Sequence, residues 1–216
     1  MVAVVMGPMF RDRSDAGEQL AHALIAAGEA GRADLVLAIP RGGAVVAAPV
    51  AEALGCPLDV ALARKVGAPS NPELAIGAVG PGGRALIDEQ MAVRVGADRA
   101  WIERTVAAEA AEVRSRLDRF RRGRPPLEVA GKRVIVVDDG VATGSTALAV
   151  GRWLVDAGAA AVLAVPVGPA GAPDRLCPPY ERLVAVALPE HFLAVGSHYQ
   201  RFDQTSDEEV ERLLGN

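Results

Sequence analysis

Cysteine is nearly absent. Cys56 and Cys177 are the only two in 216 residues, too few for a disulfide framework or a cysteine-rich zinc site. Both are expected to be buried thiols in a reducing, cytoplasmic setting. Lysine is also scarce: of 23 basic residues only Lys65 and Lys132 are lysines. Aromatic residues are limited to four Phe, two Trp and two Tyr. No run approaches the ~20 apolar residues of a spanning helix, and residues 1–10 lack the basic flank of a secretory signal. Positive charge is not in excess. With 27 acidic residues the net charge is −4, the wrong sign for a protein that coats nucleic acid. Neither a membrane nor a nucleic acid is therefore an expected partner. The natural start is read as either Met1 or Met9, the latter making Met1 to Pro8 an extension.

What is present suits a packed enzyme-sized domain. Half of the residues are hydrophobic and 23% are charged, which excludes global disorder. The length predicts one domain over residues 1–216. Short apolar runs alternate with amphipathic stretches. Asp15 and Glu18 read as a capping box ahead of a helix carrying Leu20, Ala23, Leu24 and Ala27. Leu35–Ile39, Leu58–Ala63, Val134–Val137, Ala160–Val165 and Leu183–Ala187 read as five strands buried on both faces. Helices are predicted over 44–54, 98–122, 144–156 and 207–214, with one or two helical turns over 172–176. Residues 66–71 read as loop, and 74–79 with 85–87 as a hairpin around Gly80-Pro81-Gly82-Gly83. The alternation defines an α/β class with a mostly parallel five-stranded sheet in three layers. Ligands bind such sheets at the carboxyl ends of the strands, which directs attention to Pro40–Gly43, Arg64–Lys65 and Asp138–Thr146.

The last of these is the most informative. Residues 134–146 read Val-Ile-Val-Val-Asp-Asp-Gly-Val-Ala-Thr-Gly-Ser-Thr. Four β-branched residues form a stiff strand and two carboxylates, Asp138 and Asp139, follow it. Gly140, Val141, Ala142, Thr143, Gly144, Ser145 and Thr146 then lead into a helix N-terminus. Such a loop offers backbone N–H groups, hydroxyls and the positive end of a helix dipole to a phosphate. The carboxylates suit hydroxyls, or a metal through water. A ligand with a phosphate and a nearby diol is a ribose 5-phosphate. One Asp alone would read as an Asx turn with an N-cap; two ahead of this loop do not.

All thirteen positions fit the PRPP-binding fingerprint of the type I phosphoribosyltransferases, which the chain resembles from about Phe10 to Leu214. Arg64–Glu73 and Phe192–Gly196 further resemble a bacterial subgroup of that family with no assigned acceptor. The resemblance implies a Mg²⁺-dependent enzyme and a homodimer. It would transfer the phosphoribosyl group of PRPP to a nitrogen acceptor, a nucleobase, with release of pyrophosphate. It further implies that Asp138 and Asp139 hold the ribose hydroxyls and, through water, the metal, and that Gly140–Thr146 bind the 5′-phosphate. Pro40-Arg41-Gly42-Gly43 alone reads as an ordinary Gly-rich strand–helix turn with a surface Arg. The resemblance makes it the pyrophosphate loop, with a non-proline cis peptide near Arg41. Arg64 and Lys65, otherwise surface cations, become pyrophosphate ligands, and Lys65 and Arg41 join the two acids as the catalytic set. Residues 66–96 become a flexible loop and hairpin that closes over the site, and 189–216 a small hood. Phe192 and Tyr199, clustered with Phe202, His191 and His198, are candidates for stacking on the acceptor, or are a satellite core under the tail. Arg119–Arg124 suits a helix C-terminus, His22 a surface, and Trp101 and Trp153 packing. Two alternatives keep the same fingerprint: a regulatory protein that senses PRPP or a nucleotide without chemistry, and a phosphoribosyl hydrolase that needs no base.

Overall fold

A computed structural model describes residues 8–215; the reading of Met1 or Met9 as the start concerns residues 1–7, which lie outside them. The five apolar runs form one parallel sheet: β1 (Leu35–Ala38), β2 (Leu58–Val60), β6 (Arg133–Val137), β7 (Ala160–Val167) and β8 (Arg182–Ala187), in the order β2-β1-β6-β7-β8. Strand side chains alternate between faces. Val36, Ala38, Ile135, Val137, Val162 and Ala164 pack against α1 (Arg13–Ala26), α2 (Gly42–Leu54), the C-terminal half of α4 (Arg99–Arg121) and α7 (Asp207–Leu213). Leu35, Leu37, Val134, Val136, Leu163 and Val165 pack against α5 (Ser145–Asp156) and α6 (Ala172–Leu176). This double burial is why the strands read as continuous apolar runs. The chain leaves β1 towards β2 on one side and returns as β6 on the other. The switch point therefore falls between β1 and β6, where Pro40–Gly43 and Asp138–Thr146 lie.

Between β2 and β6 the chain builds a second, antiparallel sheet of β3 (Arg64–Ala68), β4 (Asn71–Val79) and β5 (Ala85–Ile87). It packs on α3 (Glu89–Arg94) and the N-terminal half of α4 through Val66, Ile76, Val79, Trp101 and Ile102. Part of the expected loop 66–71 is thus strand. A Cβ on Gly67 would lie 2.4 Å from the Pro72 carbonyl oxygen, so this glycine permits close backbone approach across an irregular ladder. The helix over 89–94 was not anticipated. The start of α1 also differs from the capping-box reading. Its N-cap is Asp12, which accepts from the Asp15 amide, while Asp15 binds the backbone and guanidinium of Arg11. The basic run at the end of α4 is absorbed by structure. Arg121 is buried on Asp59, and Arg119 and Arg122 pair with Glu211. Among the described residues no helix is long and apolar enough to cross a membrane.

Glu29, fully buried, receives Arg133 at 2.7 Å and also Arg182. These pairs tie the turn after α1 to the starts of β6 and β8. The Arg133 hydrogen bond is the main cause that brings the Glu29 carboxyl from 4.5 to about 2. The folded-state value lies below the unfolded one, so the stabilisation is present above about pH 4.5 and disappears as pH falls through about 2. We expect Glu29→Gln to lower stability by about 3 kcal/mol at pH 7. The gap to wild type should narrow below pH 4.5 in urea unfolding series.

Candidate functional site

The site begins where β6 runs out of neighbours. The Asp138 amide donates to Ala164 O at 3.3 Å, a ladder-like contact to β7. The Asp139 amide then turns back onto Asp138 Oδ1 at 2.8 Å. Burial first, then the adjacent Asp139 charge, push the Asp138 carboxyl well above the usual carboxylate range. Asp139 accepts the Arg13 Nε–H on Oδ2 at 2.7 Å, and its backbone carbonyl accepts the Tyr199 hydroxyl at 2.6 Å. Arg13 went unnoticed in the sequence because 126 residues separate it from Asp139. No spacing rule links a first-turn helix residue to a strand end that distant.

The two glycines after β1 lie against these acids. A Cβ on Gly42 would sit 2.0 Å from Asp139 Oδ2 and 2.7 Å from Arg13 Nε, and one on Gly43 2.8 Å from the Val137 carbonyl oxygen. Neither position has room for a side chain, which accounts for the Gly-Gly pair. The Pro40–Arg41 peptide is cis, as the resemblance implied. On the other side, the Val141 amide donates to Val167 O at 3.0 Å, tying the Gly140–Thr146 loop to the end of β7. Gly140 and Gly144 have positive φ and are crowded by Val195 and Leu176. The hydroxyls of Thr143 and Ser145 lie 3.3 Å apart at the N-terminus of α5, and both residues are exposed. A loop with this geometry offers hydroxyls and unpaired first-turn amides to an anion.

The cationic candidates each meet a carboxylate from another element. Arg41 lies 3.6 Å from Asp207 at the start of α7. Arg64 binds Glu109 of α4, and Lys65 binds Glu73 of β4 at 3.0 Å. Arg64, Lys65, Glu73 and Glu109 line a cleft of about 500 Å³ with Trp101 and Thr105. The sequence reading assigned these three acids no role: Glu73 only closes the Arg64–Glu73 segment, and Glu109 and Asp207 belong to no motif. The aromatic candidates divide. Tyr199 is buried between Phe10 and Phe202, with ring centroids at 5.2 and 4.9 Å. Its ring is therefore not open to a stacked base, and its polar end serves Asp139 instead. Phe192 stacks on His198 at 5.4 Å and is partly exposed. Cys56 and Cys177 are free and partly buried, and burial raises both thiols.

Residues 13–175 match the model of the phosphoribosyl transferase domain, so the chain belongs to that family of transferases. It is 42% identical over 207 residues to "Putative phosphoribosyl transferase Rv0571c" of Mycobacterium tuberculosis, covering 95% of this chain and 46% of that protein. The chain thus spans about half the length of the curated relatives it matches. The crystal structure of TT1426 from Thermus thermophilus superposes with a TM-score of 0.82 at 45% identity, over 97% of this chain and 98% of that one. A hypothetical protein from Neisseria gonorrhoeae, crystallised with ppGpp, shares the fold at a TM-score of 0.54 and 15% identity, over 97% and 96% of the two chains.

Steric crowding at Gly42 makes a direct prediction. Gly42→Ala should lower stability by about 2 kcal/mol, the range of an overpacked interior. Gly171→Ala, where a Cβ meets nothing within 4 Å, should stay within about 0.5 kcal/mol of wild type. Thermal unfolding of both variants checks the pair.

Proposed function

We propose that this chain transfers the phosphoribosyl group of PRPP to a nitrogen acceptor, a nucleobase, and releases pyrophosphate. The observation that carries the reading is the juxtaposition at the β1–β6 switch point. Two carboxylates sit between a side-chain-free Gly42–Gly43 turn and an exposed hydroxyl loop at a helix N-terminus. Asp138 and Asp139 accept the ribose hydroxyls, and Gly140–Thr146 hold the 5′-phosphate. The Gly42 and Gly43 amides, Arg41, Arg64 and Lys65 receive the pyrophosphate. In this reading residues 66–96 close over the bound ligand and exclude water, 189–216 form the hood, and the enzyme works as a cytoplasmic homodimer.

Charge separates as the bond to C1′ breaks. The sugar becomes oxocarbenium-like and the leaving pyrophosphate gains negative charge. Fixed cations at the leaving group and carboxylates at the ribose match that separation, and one well-placed donor of this kind is worth about 3–4 kcal/mol. The donor set also fits Mg²⁺, which keeps several waters and takes one or two carboxylates together with substrate phosphates. Asp138 and Asp139 supply such a pair, and among the described residues no richer cluster of His, Cys, Asp or Glu competes for the ion. Bound there, the ion would neutralise phosphate charge.

The test is pyrophosphate release from Mg·PRPP, alone and with each of a panel of purine, pyrimidine and pyridine bases. Base-dependent release supports the transferase and names its acceptor. Release without a base would instead support a hydrolase, and binding without release under every condition a sensor. Asp138→Asn should abolish PRPP binding while melting no lower than wild type at pH 7, since it removes a carboxyl whose charged form is disfavoured by burial. Calorimetry and thermal unfolding read the two effects separately. Lys65→Ala should leave ribose 5-phosphate affinity unchanged and reduce turnover at least about tenfold; loss of ribose 5-phosphate binding would overturn the placement of the pyrophosphate.

A further inference from the structure

Arg13 makes three directed contacts and is otherwise enclosed, with 12% of its side chain exposed. Its Nε–H donates to Asp139 Oδ2 at 2.7 Å and its Nη1 to the Asp203 carbonyl at 2.6 Å. Its guanidinium carbon lies 3.8 Å from the centre of the Phe202 ring. Two directed donors and a stacked face fix the plane of the fork, which a lysine cannot reproduce. The bracing elements are themselves joined. Met9 and Phe10 donate to His198 O, and Gln200 and Arg201 return to Phe10 O and Arg11 O. Tyr199 adds its bond to the Asp139 carbonyl. The first residues of the fold and the tail thus form one clasp, and two of its side chains, Arg13 and Tyr199, bond to Asp139. The contact that reaches the Asp139 carboxylate from another element falls on Oδ2, and its side-chain neighbour within the strand end is the Asp138 carboxyl. The clasp thus fixes one carboxylate oxygen, Oδ2.

We propose that Arg13, braced by Phe202, is the positioning residue of this transferase's ribose site. By occupying Oδ2 it sets the plane of the Asp139 carboxylate and presents Oδ1 to a sugar hydroxyl. Phe202 acts one step further out, by holding the guanidinium flat. The inference rests on the reading of Asp139 as a ribose ligand. It adds to the site a residue of α1 and an aromatic residue of the tail, neither of which need touch the sugar.

Calorimetric titration of ribose 5-phosphate into the full chain tests this, with inorganic phosphate as the second probe. Arg13→Met should weaken ribose 5-phosphate about tenfold, the scale of a lost charge-assisted hydrogen bond, and leave inorganic phosphate unchanged. Arg13→Lys should recover part of the loss. Phe202→Leu should weaken the sugar phosphate about threefold, within the range of an exposed cation–π contact, and Phe202→Trp should restore it. In an Asp139→Asn background, Arg13→Met should add little, because the two residues act as one unit. Unchanged sugar affinity in Arg13→Met, with a loss in Asp139→Asn, would overturn the positioning role. Equal loss of both probes in Arg13→Met would overturn it too, by showing a general structural effect. Unchanged affinity in Asp139→Asn would instead sink the ribose-site reading.

Discussion

Two adjacent carboxylates at the end of a fully buried strand are the constraint around which this molecule is organised. Like charges side by side, partly removed from water, are unfavourable unless something nearby answers them. The fold answers asymmetrically. Asp138 turns back on the next amide and has its proton affinity raised by burial. Asp139 is given an arginine from the first helix. Gly42 and Gly43 are side-chain-free because the same carboxylates and the strand end occupy the space a Cβ would need. The tail packs where it does because Tyr199 and Phe202 complete the environment of Asp139 and Arg13.

Neutralisation of charge across elements recurs around the rest of the site. Arg41, Arg64 and Lys65 meet Asp207, Glu109 and Glu73. In the proposed reading, an incoming polyanion would exchange these internal partners for its own oxygens rather than find bare cations. Such exchange keeps the net gain moderate, since desolvated charge is matched both before and after binding. Elsewhere the same device is purely architectural. Glu29 joins Arg133 and Arg182 across the amino ends of the sheet, and Arg119 and Arg122 hold α7 against α4. The arginine bias of the chain suits these roles, since a planar fork can serve two acceptors at once.

Much of this was legible in the sequence. Continuous apolar runs marked the five parallel strands because both faces of the sheet are covered, and the 134–146 fingerprint marked the candidate site because its residue types follow one another directly. Both signals are local. The errors were local too, but arose where packing overrides composition. Gly67 and Ala68 looked like loop and are strand, since a glycine let β3 approach Pro72 closely. Asp15 looked like a cap, yet Asp12 took that position.

Residues 134–146 by themselves placed the acid pair and the hydroxyl loop at the end of an apolar strand, because backbone periodicity and nearest-neighbour chemistry are written along the chain. Tertiary structure alone decided what surrounds them. Arg13, Phe202, Tyr199 and the carboxylates facing Arg41, Arg64 and Lys65 reach the site from distant segments. Their contacts depend on helix packing and tail docking, which set distances in space that no spacing in sequence encodes. Tyr199 shows the difference most clearly. Its residue type suggested a stacking surface for a ligand, and its burial between Phe10 and Phe202 made it instead a support for the carboxylate beside it.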